Sequence, residues 1–294
     1  MENIIDFYKQ ETGKEINMNQ KELKRYAKSL LYGHLRSGSW KDIETFCMFI
    51  GYQRSGHSFI GALLDAHPDA MMGMEVDALN LVQMGYSRKQ LFYCLLRNSE
   101  VFTRKLNNRW TGFSYAVPGQ FQGRFNKLHM IGDKKGGKST LRLGENPELY
   151  DRLKKLVKCR IKVLHVIRHP LDNISTMILR HLPEGRALVK EDFQDKMDLY
   201  FYKAGINYKL ISNKGMDILN IYHEDFISNP RSGLNEILEF VGLAPDDSYI
   251  DSCAGVVNEK PHISREKLEW PEDLLNEVNT RTKKYPFLTR YITS

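Results

Sequence analysis

Cysteine is scarce and scattered: Cys47, Cys94, Cys159 and Cys253 form no CxxC pair and have no metal-ligand spacing. That excludes a zinc ribbon or a dense disulfide framework, and reduced thiols in a cytoplasmic chain are the expectation. Long apolar runs are also missing. None approaches the ~20 residues that a membrane span needs. The N-terminal MENIIDFYKQETGKE interleaves charges where a secretory signal would be apolar, so no membrane association is expected. There is no internal repeat and no low-complexity tract. Nor is charge concentrated: 43 Lys+Arg and 36 Asp+Glu are dispersed along 294 residues, for a net charge of +7. A nucleic-acid backbone would favour a concentrated basic face, so no nucleic-acid partner is expected and a small phosphorylated anion fits better. What remains is ordinary globular composition, 41% hydrophobic and 27% charged.

Residues 1–40 read as an N-terminal helical extension, because Leu23, Tyr26, Leu30, Leu31 and Leu35 recur at helical spacing with basic residues between them. RSGSW (36–40) breaks the pattern, which puts a single domain at 41–294. Three short apolar runs read as buried strands: TFCMFIGY (45–52), IKVLHVIR (161–168) and DILNIY (217–222). Helical patterns fall at 58–66, 87–99, 147–158, 172–180, 192–212 and 230–241. Asn229-Pro230 supplies an N-cap and an N1 proline for the last of them. The alternation predicts an α/β fold with a central parallel sheet of about four or five strands, flanked by helices. The stretch from Val101 to His129 reads as loops over that sheet.

Two segments compete as phosphate loops. GYQRSGHS (51–58) has the required frame, with His57 where a Walker lysine would stand. It follows the strongest strand and precedes the apolar helix of Phe59, Ile60, Leu63 and Leu64, a context that aims backbone N–H groups and the positive helix end at an anion. The missing lysine argues against nucleoside-triphosphate hydrolysis, and Arg54 offers a cation instead. GDKKGGKS (132–139) matches Walker A literally, but the strand before it, LHMI (128–131), is short. Gly144, Asn146 and Pro147 follow Lys138 closely, so no long helix is expected there and the match reads as a basic glycine loop. A P-loop ATPase or kinase built on GDKKGGKS is the alternative function.

GYQRSGHSFIGALLDAHPDA (51–70) resembles the phosphosulfate-binding segment of the sulfotransferase superfamily: a strand, a glycine loop with Lys or Arg, a helix, then L-x-x-H-P. Arg54, Ser55, Gly56, Ser58, Leu64, His67 and Pro68 occupy those places. VIRHPLDNIST resembles a second family element through Arg168, Pro170 and Thr176. IYHEDFISNPRSGLNEILEFVGL (221–243) resembles a third, with His223 or Tyr222 in its aromatic slot. The three stand in family order and, with the C-terminal tail, cover most of 45–291. The resemblance implies a P-loop-like fold and a cytoplasmic, bacterial-type enzyme of small-molecule biosynthesis. It implies 3′-phosphoadenosine 5′-phosphosulfate (PAPS) as sulfuryl donor, adenosine 3′,5′-bisphosphate (PAP) as product, and no metal. The acceptor would be a hydroxyl or amine of a small molecule. A homologue that binds the nucleotide without turnover is the other alternative.

The resemblance also distributes roles. Residues Arg54, Ser55, Gly56, His57, Ser58 and Phe59 are expected at the donor, with Arg54 stabilising charge on the bridging oxygen. Arg168 with Thr176, or with the adjacent Ser175, is expected to hold the 3′-phosphate, Asp172 capping that helix. His223 is expected at the same donor site. Glu75, in AMMGMEVDAL, resembles the catalytic glutamate of the carbohydrate 3-O-sulfotransferase branch; the histidine of the small-molecule K-x-H motif has no counterpart in DKKGG. A partly buried carboxylate there would have a raised pKa and act as base. Lys134 matches the family's G-[DE]-K element and would neutralise the moving sulfuryl oxygens. Glu75, Asp77 and Asp133 together are expected to make the acceptor side acidic and to favour a cationic natural product. His165, mid-strand, reads as a core histidine, and Met71, Met72 and Met74 as core packing.

Overall fold

The computed structural model describes residues 19–110, 112–258 and 260–292. Of the extension expected over 1–40, the part before Asn19 lies outside the described residues. Helix α1 (Gln20–Leu35) begins at a capping box, in which the Glu22 N–H donates to the Asn19 side chain and the Asn19 N–H donates to the Glu22 carboxylate. Leu23 and Tyr26 are buried on one face of α1, and the Tyr26 ring meets Tyr86 edge-on.

The strands are β1 (Thr45–Gly51), β2 (Ala70–Met74), the short pair β3 (Arg109–Trp110) and β4 (Phe113–Ser114), β5 (Met130–Lys134), β6 (Arg160–Ile167) and β7 (Asp217–Tyr222). The helices after α1 are α2 (His57–Asp65), α3 (Ala78–Gln83), α4 (Arg88–Leu106), α5 (Gly137–Glu145), α6 (Glu148–Val157) and α7 (Pro170–His181). They continue with α8 (Lys190–Ser212), α9 (His223–Ser228), α10 (Pro230–Val241), α11 (Asp247–Ala254) and α12 (Glu272–Thr282).

Five strands form a parallel sheet in the order β2-β5-β1-β6-β7. The central β1 is buried throughout and alternates between two layers. Phe46, Met48 and Ile50 enter the apolar layer shared with α4 and α6, whereas Cys47 and Phe49 enter the opposite layer with α2 and α10. A third apolar cluster joins α7, α8 and α12 beside Ile167 at the end of β6. Because all five strands run the same way, their carboxyl ends share one edge of the sheet. Ligands of open α/β sheets bind at that edge.

Two local expectations are corrected. A nine-residue helix, α5, does follow the Walker-like GDKKGGKS, and β5 before it runs on to Lys134. Asn146 and Pro147 only end that helix. Gly144 lies within it, and its bareness lets α5 lie against α8, where a Cβ would stand 2.6 Å from Ile206. The region 101–129 is not all loop: α4 continues to Leu106, and β3 pairs with β4 in a short hairpin. No helix among the described residues is long and apolar enough to cross a membrane.

His165 shows how this sheet tolerates a titratable group. It is fully buried in β6, its Nδ1–H donates to the Asn220 side chain at 2.9 Å, and its Nε2 accepts from the Asn207 amide at 3.3 Å. Those bonds suit the neutral ring, and burial pushes its pKa down to about 4. The unfolded chain binds that proton near pH 6.5, so stability is complete above 6.5 and falls as pH drops towards 4. The loss from this one residue amounts to roughly 3 kcal/mol at most. Urea melts at pH 7 and pH 5 should show a smaller acid loss for His165→Gln than for the parent; equal losses would refute the assignment.

Candidate active site

Every strand of the sheet delivers a polar group to the carboxyl edge. Beyond β1 comes the loop Gln53–Gly56, where Arg54 and Gly56 adopt positive φ of 67° and 97°. Gly56 needs its bare Cα: a Cβ would stand 2.5 Å from the His223 ring, delivered by β7 and α9. The Ser55 hydroxyl donates to the Tyr52 carbonyl at 3.0 Å, so the His57 Nδ1–H donates to Ser55. Burial, reinforced by the Lys134 ammonium, lowers the His57 pKa to about 3 and keeps it neutral.

The Walker-like segment is the buttress of this loop. Thr140 accepts the Gly51 N–H at 2.9 Å, and Gly136 lies flat against the His57 ring. Lys138 points outward, 58% exposed and 4.0 Å from Asp77, away from the loop. Lys203 of α8 donates to the Gln53 side chain, and burial lowers its pKa to about 8. Its position one turn from Tyr200 and Asn207, on the buried face of α8, was the sequence signal for it.

Glu75 follows β2 with φ 64° and its N–H donates to the Lys134 carbonyl of β5. The Lys134 side chain is wholly buried; its Nζ donates to Glu75 at 2.6 Å and to Ser58 at 2.8 Å. Lys135 meets the other Glu75 oxygen at 2.6 Å. This corrects the expected sign of the Glu75 pKa. Burial alone would raise it, but the two ammonium groups prevail and hold it below the ordinary carboxylate value. Lys134 is itself pushed below the usual lysine value by burial, against the pull of Glu75.

The acidic acceptor side is not formed. Asp133 is buried and accepts the Val76 and Ala78 N–H groups at 3.0 and 2.7 Å, and burial raises its pKa to about 7. Asp77 holds the Arg142 guanidinium through two bonds of 2.7 Å and accepts the Asn80 N–H at the start of α3. Both carboxylates shape the turn after β2 and leave Glu75 alone facing the cleft.

Arg168 comes off the end of β6, largely buried. It donates to the Arg54 carbonyl at 3.1 Å, to Thr176 at 3.0 Å and to Ser264 at 3.2 Å. Thr176 therefore stands on the cleft side of α7. The adjacent Ser175 is turned away and accepts the Trp270 indole N–H, which corrects it as a donor contact. Asp172 does not cap α7 either. That helix starts with His169 as N-cap, and the Asp172 carboxylate accepts the N–H groups of Ser264 and Arg265 at 2.7 and 2.8 Å. It thereby moors the C-terminal segment as a wall beside Arg168.

These groups surround a cleft of about 860 Å³. Arg54, Gly56, His57, Ser58, Phe59, Glu75, Arg168, Thr176 and His223 line it; Ser55 lies beneath the loop and supports it. Tyr222 lies instead under the Arg290 guanidinium, so His223 takes the aromatic place, its pKa lowered to about 4 by burial and by Arg168. Phe59 both faces the cleft and packs on the apolar layer below it. Sequence reasoning missed Arg180, Lys260 and Lys267, which add positive charge at the rim; the half-exposed Trp110 and Phe113 of the hairpin, from the stretch 101–129, line it as well. Arg180 sits one helical turn after Thr176, the one signal that pointed to it. Glu75 is the one carboxylate among the described lining residues. The chemistry of such a cleft suits a compact polyanion at its cationic floor, with one carboxylate beside it.

The sequence model of the Sulfotransferase family matches residues 48–247. No curated protein matches the chain. Among solved structures it is similar to the sulfotransferase domain of the Synechococcus PCC 7002 olefin synthase, with 16% identity over 83% of this chain and 95% of that one, at a TM-score of 0.50. It is also similar to sulfotransferase STF9 from Mycobacterium avium, with 10% identity over 97% of this chain and 96% of that one, at a TM-score of 0.52. At these identities the likeness is one of fold, and it agrees with the parallel sheet flanked by helices.

The loop geometry gives a direct test. Gly56→Ala must place its Cβ against His223 at a φ that alanine disfavours. Stability should fall by roughly 1–2 kcal/mol, and pyrophosphate affinity by about tenfold or more as the loop amides lose alignment. Unchanged pyrophosphate affinity by calorimetry would mean that the loop is not the anion site.

Proposed function

The chain belongs to the sulfotransferase family, and we propose that its cleft takes PAPS as donor and delivers the sulfuryl group to a hydroxyl of a small-molecule acceptor. The observation that carries this reading is Glu75 held between Lys134 and Lys135 at the edge where the anion loop, Arg168 and His223 also converge. The family makes sulfuryl transfer the chemistry; the donor and the roles of residues are the proposal.

The donor fits what the cleft offers. The amides at the start of α2, with Arg54 beside them, suit a phosphate joined to a sulfate. Arg168 has committed much of its hydrogen bonding to protein oxygens, so it serves by fixing the loop and by its charge. Thr176, Arg180 and Lys267 stand beside it for direct contact with a 3′-phosphate, and Phe59 offers a flat apolar surface for a base. When bound, the donor supplies a sulfur atom whose bond to a bridging oxygen is weak. Arg54 and Lys134 stabilise the charge left on that oxygen as the acceptor oxygen bonds to sulfur.

Glu75 accepts the acceptor's hydroxyl proton in this reading. Paired with two ammonium groups it is a weak base. Drawing Lys134 towards the sulfuryl oxygens would leave Lys135 alone against burial and so raise the basicity of Glu75 just when the proton must leave. The lysine thus couples donor binding to base strength.

Three measurements test the proposal. PAP should raise the melting temperature, with about 2.7 kcal/mol of stabilisation at a hundred times its Kd, whereas ATP with Mg²⁺ should do little. The opposite ranking would reject the donor. Glu75→Gln should lower kcat by roughly 10²–10⁴ while PAP still binds. Lys138→Ala should leave turnover unchanged, and its loss would return the Walker-like segment to consideration.

A further inference from the structure

A second cavity, of about 1140 Å³, runs along α1 and α4 and ends at Glu75. Glu75 also lines the donor cleft, so the two cavities meet at one carboxylate. One wall of this groove is a cationic helix face. Lys21, Lys24, Arg25 and Lys28 occur at i, i+3, i+4 and i+7 of α1 and all line the groove, while Leu23 and Tyr26 turn to the core. Those four cations span about 10 Å along the helix axis.

Among the described residues the positive charge is not answered within the groove. Glu100 is held by Arg36 at 2.6 Å and Arg97 at 3.1 Å, and Glu75 is held by Lys134 and Lys135. Lys21, Lys24 and Lys28 have no carboxylate partner among the described residues. Further along, the rings of Tyr32 and Tyr93 stack at 5.8 Å and give the groove an aromatic patch.

We propose that this groove is the acceptor's entrance and that the acceptor is anionic. Its hydroxyl reaches Glu75 while a carboxylate or phosphate, carried by an apolar or aromatic body, lies along the basic face of α1. The inference rests on the donor reading of the first cleft, because that reading makes Glu75 the point of transfer. It reverses the cationic acceptor expected from Asp77 and Asp133, whose charges are spent on Arg142 and on backbone N–H groups. Helix α1 also precedes residues 48–247, the span that the family's sequence model matches.

The test uses para-hydroxyphenyl alkanoates of increasing chain length, each paired with its methyl ester, and a triple variant Lys21→Glu, Lys24→Glu, Lys28→Glu. All three lysines are exposed, so the variant should keep its melting temperature and its PAP affinity. Calorimetry without donor should show the carboxylates binding more tightly than the esters by about tenfold or more, with a preference that shrinks as salt rises. The variant should lose that preference, and turnover with PAPS should follow the same order in kcat/KM. The inference is overturned if no carboxylate binds, if acid and ester bind equally, or if the preference survives the three substitutions. Absence of PAP binding would strike the donor reading instead, and the two failures are read from separate titrations.

Discussion

Lys134 has no exposed side-chain surface, and an ammonium in that position is tolerable only because Glu75 stands 2.6 Å away. Stripping water from such a charge costs on the order of several kcal/mol, and a partner with good geometry must offset it. The pair joins the end of β5 to the turn after β2. Through Ser58 it also reaches the first turn of α2, so three separate pieces of the cleft are fixed by one contact. Lys135 closes the other side of the carboxylate. The rest of the edge is arranged around this charge cluster: Asp133 holds the backbone that carries Glu75, and neutral His57 fills the space between the loop and Gly136.

The parts of this arrangement that the sequence made legible are those built from local pattern. The run 217–222 and the helix 230–241 coincide with β7 and α10, because an apolar run and an Asn-Pro start signal need no distant partner. The strand, glycine loop and helix around 51–58 were legible for the same reason. Ser175 and Thr176 could not be separated, since one residue along a helix is a turn of about 100° and only the distant Trp270 indole decides which hydroxyl faces inward. The sign of the Glu75 pKa was illegible because it is the balance of burial against two lysines some sixty positions away. The fates of Asp77 and Asp133 likewise depend on Arg142 and on a turn whose shape appears only once β2 lies beside β5.

Literal motif matching misplaced the weight of GDKKGGKS. Its glycines and Thr140 serve a neighbouring loop and its Lys138 faces solvent, whereas the lysine that meets Glu75 is Lys134, four positions earlier and still within a strand. A phosphate-loop pattern describes a backbone path, and here the path that meets the cleft is the one without the lysine. The fold keeps both: one segment presents its amides, and the other stiffens it from behind.

The wall moored by Asp172 has a consequence for the life of the chain before it is complete. Arg168 meets Ser264 across 96 positions, and Asp172 meets the Ser264 N–H across 92. The loop after β1 and its supports at Gly136 and Thr140, by contrast, lie within the first half of the chain. A polypeptide emerging from the ribosome therefore carries the residues of that loop and of the Glu75–Lys134 pair long before it has an enclosed cleft. Closing a loop of that length carries an entropic cost that only the finished wall repays. A cleft walled on both sides is thus a property of the nearly full-length chain alone, formed only once synthesis has passed residue 264.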